Sequence, residues 1–323
     1  MSATPSALKS YLMSHFTLVL TLTVATTLIA PHRAGAQEAS STTPQYRYTA
    51  LSAPFPGVTS TLAYGINNLD EVVGAYQIDT AQIGDPPNVT QHGYVSKRGT
   101  YIRIDVPFSG ATNTVAAGIN NLREVVGTYL GADGSSHGFT LKNGVFASFD
   151  FPGPDAIDTT ASAINDAGTI VGYYYDLNSQ QTRGFVSRSG KFTSIDAPFG
   201  DACSTRALGI NNRDEIVGDY IEGDIAVFGF TLKQGKFESV NWSFPPDFPN
   251  PFADQNALPT GINNHGMMVG PGFITVQGNF TQLSDMNPSL SDASATGVND
   301  WGMVVGNVLQ DGIPQSGFLL VPQ

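Results

Sequence analysis

One phrase occurs six times in this chain: YGINNLDEVVG at 64–74, AGINNLREVVG at 117–127, SAINDAGTIVG at 162–172, LGINNRDEIVG at 208–218, TGINNHGMMVG at 260–270 and TGVNDWGMVVG at 296–306. Its central Asn (Asn67, Asn120, Asn165, Asn211, Asn263, Asn299) recurs at spacings of 36 to 53 residues. A period of that size calls for stacked copies of one supersecondary unit. A residue present in every copy is first of all a residue that builds the copy, so evidence for function has to come from the departures.

Aligned on the Asn, each copy reads as four short strands. Small and β-branched residues lead into the Asn, turn residues such as Asp166-Ala167-Gly168 follow, and a β-branched pair such as Val72-Val73 opens the second strand. Asn, Asp and Gly suit that turn because they bond to nearby backbone and tolerate positive φ. A third strand begins with Gly-aromatic, as in HGYVSKRG at 92–99 and HGFTLKNG at 137–144, and a tight Gly hairpin leads to a fourth, as in TYIRIDVP and VFASFDFP. Four antiparallel strands per unit is the pattern of a propeller blade. With 35 Gly and 20 Pro in the chain, long helices are excluded.

The ends sharpen the expectation. YRYTALSAP at 46–54 matches only a fourth strand, and SGFLLVPQ at 316–323 matches only a third. The segments complement each other, so an all-β six-bladed propeller of four-stranded blades is expected over 46–323, closed by strand 46–52 joining the C-terminal blade. Blade five is expected to be irregular, because MMVGPGF at 267–273 has almost no second-to-third loop and Pro271 removes a ladder donor. The repeat resembles the HAF-type extracellular repeat proteins of bacteria, whose units carry G-I-N-x-x-G-x-V-V-G and then a His-Ala-Phe strand start. Here Gly replaces the Ala throughout, and the His survives only at His92 and His137. The resemblance implies repeat architecture and export, and transfers no catalytic residues.

Residues 1–36 read as a secretory signal, with Lys9, an apolar run from Phe16 to Ala30 and a cleavage motif at Ala34-Gly35-Ala36. A linker is expected at 37–45. The destination is extracellular or periplasmic, and the run is too short for a membrane span. Without Lys9 and Arg33, 13 basic residues face 27 acidic ones, a net charge of −14. That balance argues against nucleic acid or an anionic membrane as partner. The single Cys203 excludes an intramolecular disulfide and cysteine-based metal or redox sites. No cofactor is expected, calcium being compatible with the charge but marked by no motif, and a monomer is favoured.

Propeller topology puts short, uniform turns on one face and variable loops, the longest at 77–91 and 241–258, on the other. Variable loops on a rigid scaffold are where binding usually sits. In the column three residues before the phrase Gly or Ala stand Leu62, Val115, Thr160, Arg206, Leu258 and Ser294, with Arg206 the only charge. Beside Asp201 and Cys203, Arg206 suits an anionic group at the channel mouth, the alternative being a structural pair with a loop carboxylate. The 241–258 loop adds Trp242, Phe244, Phe248 and Phe252 with Asp247 and Asp254, suited either to sugar stacking or to pinning the loop. The phrase Asn residues read as turn formers, Asp105, Asp150 and Asp196 as anchors of the following turn, and His92 and His137 as repeat register. His265 stands alone in a turn.

No nucleophile, zinc or phosphate motif occurs. The sequence therefore favours an exported binding or interaction module for a carbohydrate, protein or surface ligand at the variable face. The alternative is an enzyme, a lyase or hydrolase acting on a polysaccharide, lactone or phosphate ester at the channel mouth.

Overall fold

The computed structural model describes residues 45–79, 89–223, 226–240, 257–276, 278–310 and 312–323. The expected signal segment, the linker apart from Gln45, and Trp242, Phe244, Asp247 and Asp254 of the long loop lie outside the described residues.

After β1 (Tyr46–Leu51), the first repeat forms β2 (Val58–Ile66), β3 (Glu71–Asp79), β4 (Val89–Lys97) and β5 (Thr100–Ile104). The second forms β6 (Thr112–Ile119), β7 (Val125–Leu130), β8 (Ser136–Lys142) and β9 (Val145–Phe149). The third contributes β10 (Ala156–Ile164), β11 (Ile170–Asp176), β12 (Gln181–Arg188) and β13 (Lys191–Ile195), and the fourth β14 (Ala202–Ile210), β15 (Ile216–Glu222), β16 (Ala226–Lys233) and β17 (Lys236–Val240). Then come β18 (Gly261–Ile262), β19 (Met268–Gly270), β20 (Phe273–Val276) and β21 (Asn279–Gln282), and finally β22 (Ala293–Val298), β23 (Val304–Gln310) and β24 (Ile313–Pro322). The protein is an all-β propeller of four-stranded antiparallel blades.

Six separate four-stranded sheets were the expectation, and the strands do not divide that way. Four sheets stand alone, and the remaining strands form one eight-stranded sheet, ordered β22-β23-β24-β2-β3-β4-β5 with β1 on β24. The junction is a single parallel bridge between Thr61 and Ser316, which links β2 to β24 and merges what the repeat keeps apart. The terminal segments do pair: β1 runs antiparallel to β24 from Tyr46 opposite Pro322 to Leu51 opposite Gly317.

Two glycine columns explain how closely the strands lie. The phrase-final Gly faces the backbone of its own inner strand, so that a Cβ on Gly127 would sit 1.9 Å from the Val115 carbonyl oxygen and 2.8 Å from the Phe139 ring. That ring is the aromatic of the Gly-aromatic motif, and its counterparts Phe185, Phe230, Phe273 and Phe318 are all fully buried. Each such ring contributes about 2–3 kcal/mol of hydrophobic stabilisation. The Gly that opens the phrase meets the next repeat instead. A Cβ on Gly65 would lie 2.9 Å from the Ala117 carbonyl oxygen, on Gly118 2.9 Å from Ala163 Cα, and on Gly297 3.0 Å from the Tyr64 carbonyl oxygen.

The core lies between sheets. Val73, Ile104 and Val106 of the first repeat pack with Ala116, Ile119, Val125 and Phe139 of the second, and similar clusters follow. A Thr early in the inner strand ties each of the first four repeats to the connection before it: Thr61, Thr114, Thr159 and Thr205 accept the backbone N–H of Ala53, Val106, Phe151 and Ala197. The fifth repeat is shortened, as Pro271 demands. Its inner strand has only two paired residues, and its second strand ends at Gly270.

Candidate functional site

The phrase turns build a ring of side-chain bonds at the uniform face. In the second repeat, Asn120 Oδ1 accepts the backbone N–H groups of Leu122 and Glu124 at 3.0 and 2.9 Å, which makes the turn. Its Nδ2 donates to Glu124 Oε2 at 3.1 Å and to the Asn165 carbonyl of the next repeat at 3.0 Å. Inter-repeat donation continues from Asn67 to Asn120, Asn165 to Asn211, Asn211 to Asn263, Asn263 to Asn299, and Asn299 to Asn67. All six Asn are buried. Burial opposes the charge on Glu71, yet the Asn67 amide and the Arg123 guanidinium outweigh it and hold its carboxyl below the ordinary value.

A second ring lies on the first. The residues after each Asn are Asn68, Asn121, Asp166, Asn212, Asn264 and Asp300. Each offers Oδ1 to a backbone N–H of the preceding repeat, at 2.7–2.8 Å. The two carboxylates also take side-chain amides from both neighbours, Asp166 from Asn121 and Asn212, Asp300 from Asn68 and Asn264. Burial works against ionising Asp300, but those amides prevail and keep its pKa low. The phrase side chains line an open cavity of about 70 Å³ together with Ile66, Ile119, Ile164, Ile210, Ile262 and Val298.

Polar groups that occur once gather further along the inner strands. Arg206 does not pair with the loop carboxylate Asp201, which sits exposed in a turn. It forks onto Asp219 of β15, with Nε 2.8 Å from Oδ1 and Nη2 2.6 Å from Oδ2. The Asp219 side chain is 5% exposed and that of Arg206 47%. The charge on Asp219 raises the Arg206 pKa against the effect of burial. The guanidinium carbon stands 6.0 Å from the centre of the Tyr173 ring, in the third repeat. Burial, with the nearby Tyr173 adding to it, pushes the Tyr64 hydroxyl of the first repeat up to about 12. Burial likewise raises Tyr173, Arg206 opposing it. Three repeats thus bring two tyrosines, an arginine and an aspartate into one electrostatic neighbourhood. Both hydroxyls stay protonated at neutral pH, and both oxygens of Asp219 are engaged. The group is equipped to hold hydrogen-bonding ligand atoms.

His92 and His137 lie elsewhere, on the third strands of their repeats. His92 Nδ1 is 2.9 Å from Asp105 Oδ1 and its Nε2 is 3.1 Å from Thr90 Oγ1, the spacing of a nucleophile–His–Asp relay. Repetition gives the better account. His137 binds Asp150 at 2.9 Å one repeat later, and Arg183 binds Asp196 at 2.9 Å in the repeat after that. A cationic or imidazole group clamping the fourth-strand Asp is therefore part of the blade, and in the first repeat Arg103 also occupies Asp105 and His92. Cys203 Sγ lies against the carbonyls of Ile221 and Gly223. Among the described residues, no group of three or more His, Cys, Asp or Glu is placed to hold a metal ion.

Of the residues singled out from sequence, only Arg206 stands in this group; Asp201 does not bond to it among the described residues. Tyr64, Tyr173 and Asp219 were missed. Their signal was available: Tyr64 shares its column with Ala117, Ser162, Leu208, Thr260 and Thr296, and Asp219 shares one with Ala75, Thr128, Tyr173, Pro271 and Asn307.

No protein-family model and no curated protein matches this chain. Solved structures similar to it are propellers of remote sequence. The β-propeller domain of the Trilobed protease from Pyrococcus furiosus is 8% identical with a TM-score of 0.40, over 80% of this chain and 93% of that one. AofleA from Arthrobotrys oligospora is 12% identical with a TM-score of 0.46, over 82% and 84%. YCF48 bound to D1 peptide is 11% identical with a TM-score of 0.38, over 87% and 97%.

Proposed function

We propose that this chain is an exported HAF-type repeat propeller that works as a binding module. Its six repeats form a six-bladed ring, the eight-stranded sheet being two blades joined at Thr61 and Ser316. The relay of Asn amides, which passes through every repeat and returns from Asn299 to Asn67, supports that count. A hydroxyl-rich ligand group, such as a sugar residue, enters from the variable-loop face and meets Arg206, Asp219, Tyr173 and Tyr64. The carrying observation is the Arg206–Asp219 fork. Since Asp219 already balances the cation, the pair offers paired donors without net charge, which fits hydroxyls better than a free anion. Asp201 and the 241–258 residues Trp242, Phe244, Asp247 and Asp254 are proposed as walls of the same opening.

The test follows from the first repeat, which carries Leu62 and Ala75 where the fourth carries Arg206 and Asp219. R206L/D219A therefore installs a pair that the fold already uses. The double variant is expected to fold and to lose at least tenfold in affinity, about 1.4 kcal/mol, for at least one of the immobilised oligosaccharides that the parent binds on an array. Equal binding by the two proteins to every oligosaccharide would remove the Arg206 site. Secretion is checked by sequencing the N-terminus of the exported protein, expected at Gln37.

A further inference from the structure

The residue two places after each phrase Asn forms the rim of the turn face, and every one is exposed: Leu69, Leu122, Ala167, Arg213, His265 and Trp301. This rim is not uniform. Trp301, Leu69, Leu122 and Ala167 belong to consecutive repeats across the chain junction and make an apolar arc, while Arg213 and His265 complete it with polar groups. Trp301 is 67% exposed, an unusual position for the largest apolar side chain. It is nevertheless fixed. Its backbone N–H donates to Asn299 Oδ1 at 3.1 Å, and its indole N–H donates to the Asn68 carbonyl of the following repeat at 3.0 Å. The one polar atom of the side chain is satisfied by protein, so the bare ring faces are left to solvent in a set orientation.

We propose that Trp301 is a stacking platform for a neutral sugar, at a second site on the turn face, independent of Arg206. A pyranose presents an apolar C–H face and a rim of hydroxyls. The held indole fits the face, because an immobile aromatic ring binds with little loss of rotamer entropy. Asp300, the adjacent residue, lines the cavity at this mouth and is kept ionised by the amides of Asn68 and Asn264. An ionised carboxylate accepts from hydroxyls and repels carboxylated or sulfated sugars, as does the overall charge of −12. Charge therefore selects neutral glycans over acidic ones. An aromatic ring framed by a carboxylate and amides is also better suited to a sugar than to a wholly apolar peptide segment.

The chain has two tryptophans, so a Trp242→Phe background leaves Trp301 as the sole indole reporter. Folded protein would be titrated with cellohexaose, laminarihexaose and chitohexaose, and with hexagalacturonate as the acidic comparison. At least one neutral hexasaccharide is expected to shift or quench the emission, and the acidic one to leave it unchanged. In calorimetry with the natural Trp242 retained, Trp301→Ala is expected to weaken that binding at least tenfold and Trp301→Phe about threefold. R206L/D219A should leave it unchanged, which separates this site from the one at the variable face. The proposal is overturned if no neutral hexasaccharide binds or if Trp301→Ala binds as well as the parent. It is also overturned if light scattering finds a dimer that Trp301→Ala converts to monomer, since the arc then serves self-association.

Discussion

Asn120→Ala removes one link of the buried amide relay, and its effect can be worked out bond by bond. The side chain makes four hydrogen bonds, two that hold its own turn, one to Glu124 and one to the next repeat. At about 1 kcal/mol net for each, the sum is about 4 kcal/mol. The Leu122 N–H lies near solvent and regains water, which brings the expected loss to about 3 kcal/mol. For the roughly 250 described residues at about 2.1 cal/mol/K each, the unfolding entropy is about 0.5 kcal/mol/K, so Tm should fall by about 6 °C. Asn120→Asp keeps both acceptor bonds but points a carboxylate at Glu124 Oε2 and at the Asn165 carbonyl. At pH 7.5 it should be worse than alanine, and the gap between the variants should narrow toward pH 4 as the new carboxyl takes up a proton. Scanning calorimetry of both variants at the two pH values decides it. A Tm within 1 °C of the parent for Asn120→Ala, or an aspartate variant at least as stable as the alanine one at pH 7.5, would refute the claim that the amide donors matter. Asn299→Ala extends the test to the proposed ring. Its side chain makes three such bonds, with Met303 standing where Glu124 does, so its loss should be about 1 kcal/mol smaller than that of Asn120→Ala if the repeats close, and smaller by about a further 1 kcal/mol if Asn299 has no acceptor in the first repeat.

Three further outcomes are expected. Arg206→Leu alone strands a buried Asp219 carboxylate, so it should destabilise by about 3–5 kcal/mol, whereas R206L/D219A recovers most of that loss in a urea melt; equal stability of the two variants would contradict the pairing. His137 is held above its ordinary pKa of 6.5, because bonds and charges from Asp150 and Asp133 outweigh burial. A raised folded-state value means its contribution is complete below pH 6.5 and fades as pH rises through the folded pKa, so the stability gap between parent and His137→Gln should shrink from pH 5.5 to 8.5. Gly118→Ala places a methyl against Ala163 Cα and should cost about 2–3 kcal/mol, a loss that denaturant titration will show to be absent in an exposed-turn control such as Gly144→Ala only if strain at Gly144, whose φ is 78°, is first subtracted.

Architecture was legible because it is written six times. Period, strand order, the complementary ends and the short fifth repeat all follow from aligned residues such as Asn67, Gly127 and Pro271. Sheet membership was not legible at one point, since a single parallel bridge between Thr61 and Ser316 depends on how two repeats abut rather than on either sequence. The site was only partly legible. Arg206 declared itself as the lone charge of its column, but its partner is thirteen residues on, across a strand pair rather than in the nearby loop. The rim tryptophan went unread for a related reason. Alignment marks Trp301 as different, and only three-dimensional packing shows that the ring is held by the next repeat and left bare.

The phrase-opening glycines have a consequence for how the repeats can change. At Gly65, Gly118, Gly209, Gly261 and Gly297 a Cβ would come within 2.9–3.0 Å of the neighbouring repeat's backbone. A side chain admitted at any one of them would have to be accommodated by two repeats at once. The inner strands are therefore coupled position by position, and no repeat can be remodelled there without its neighbour.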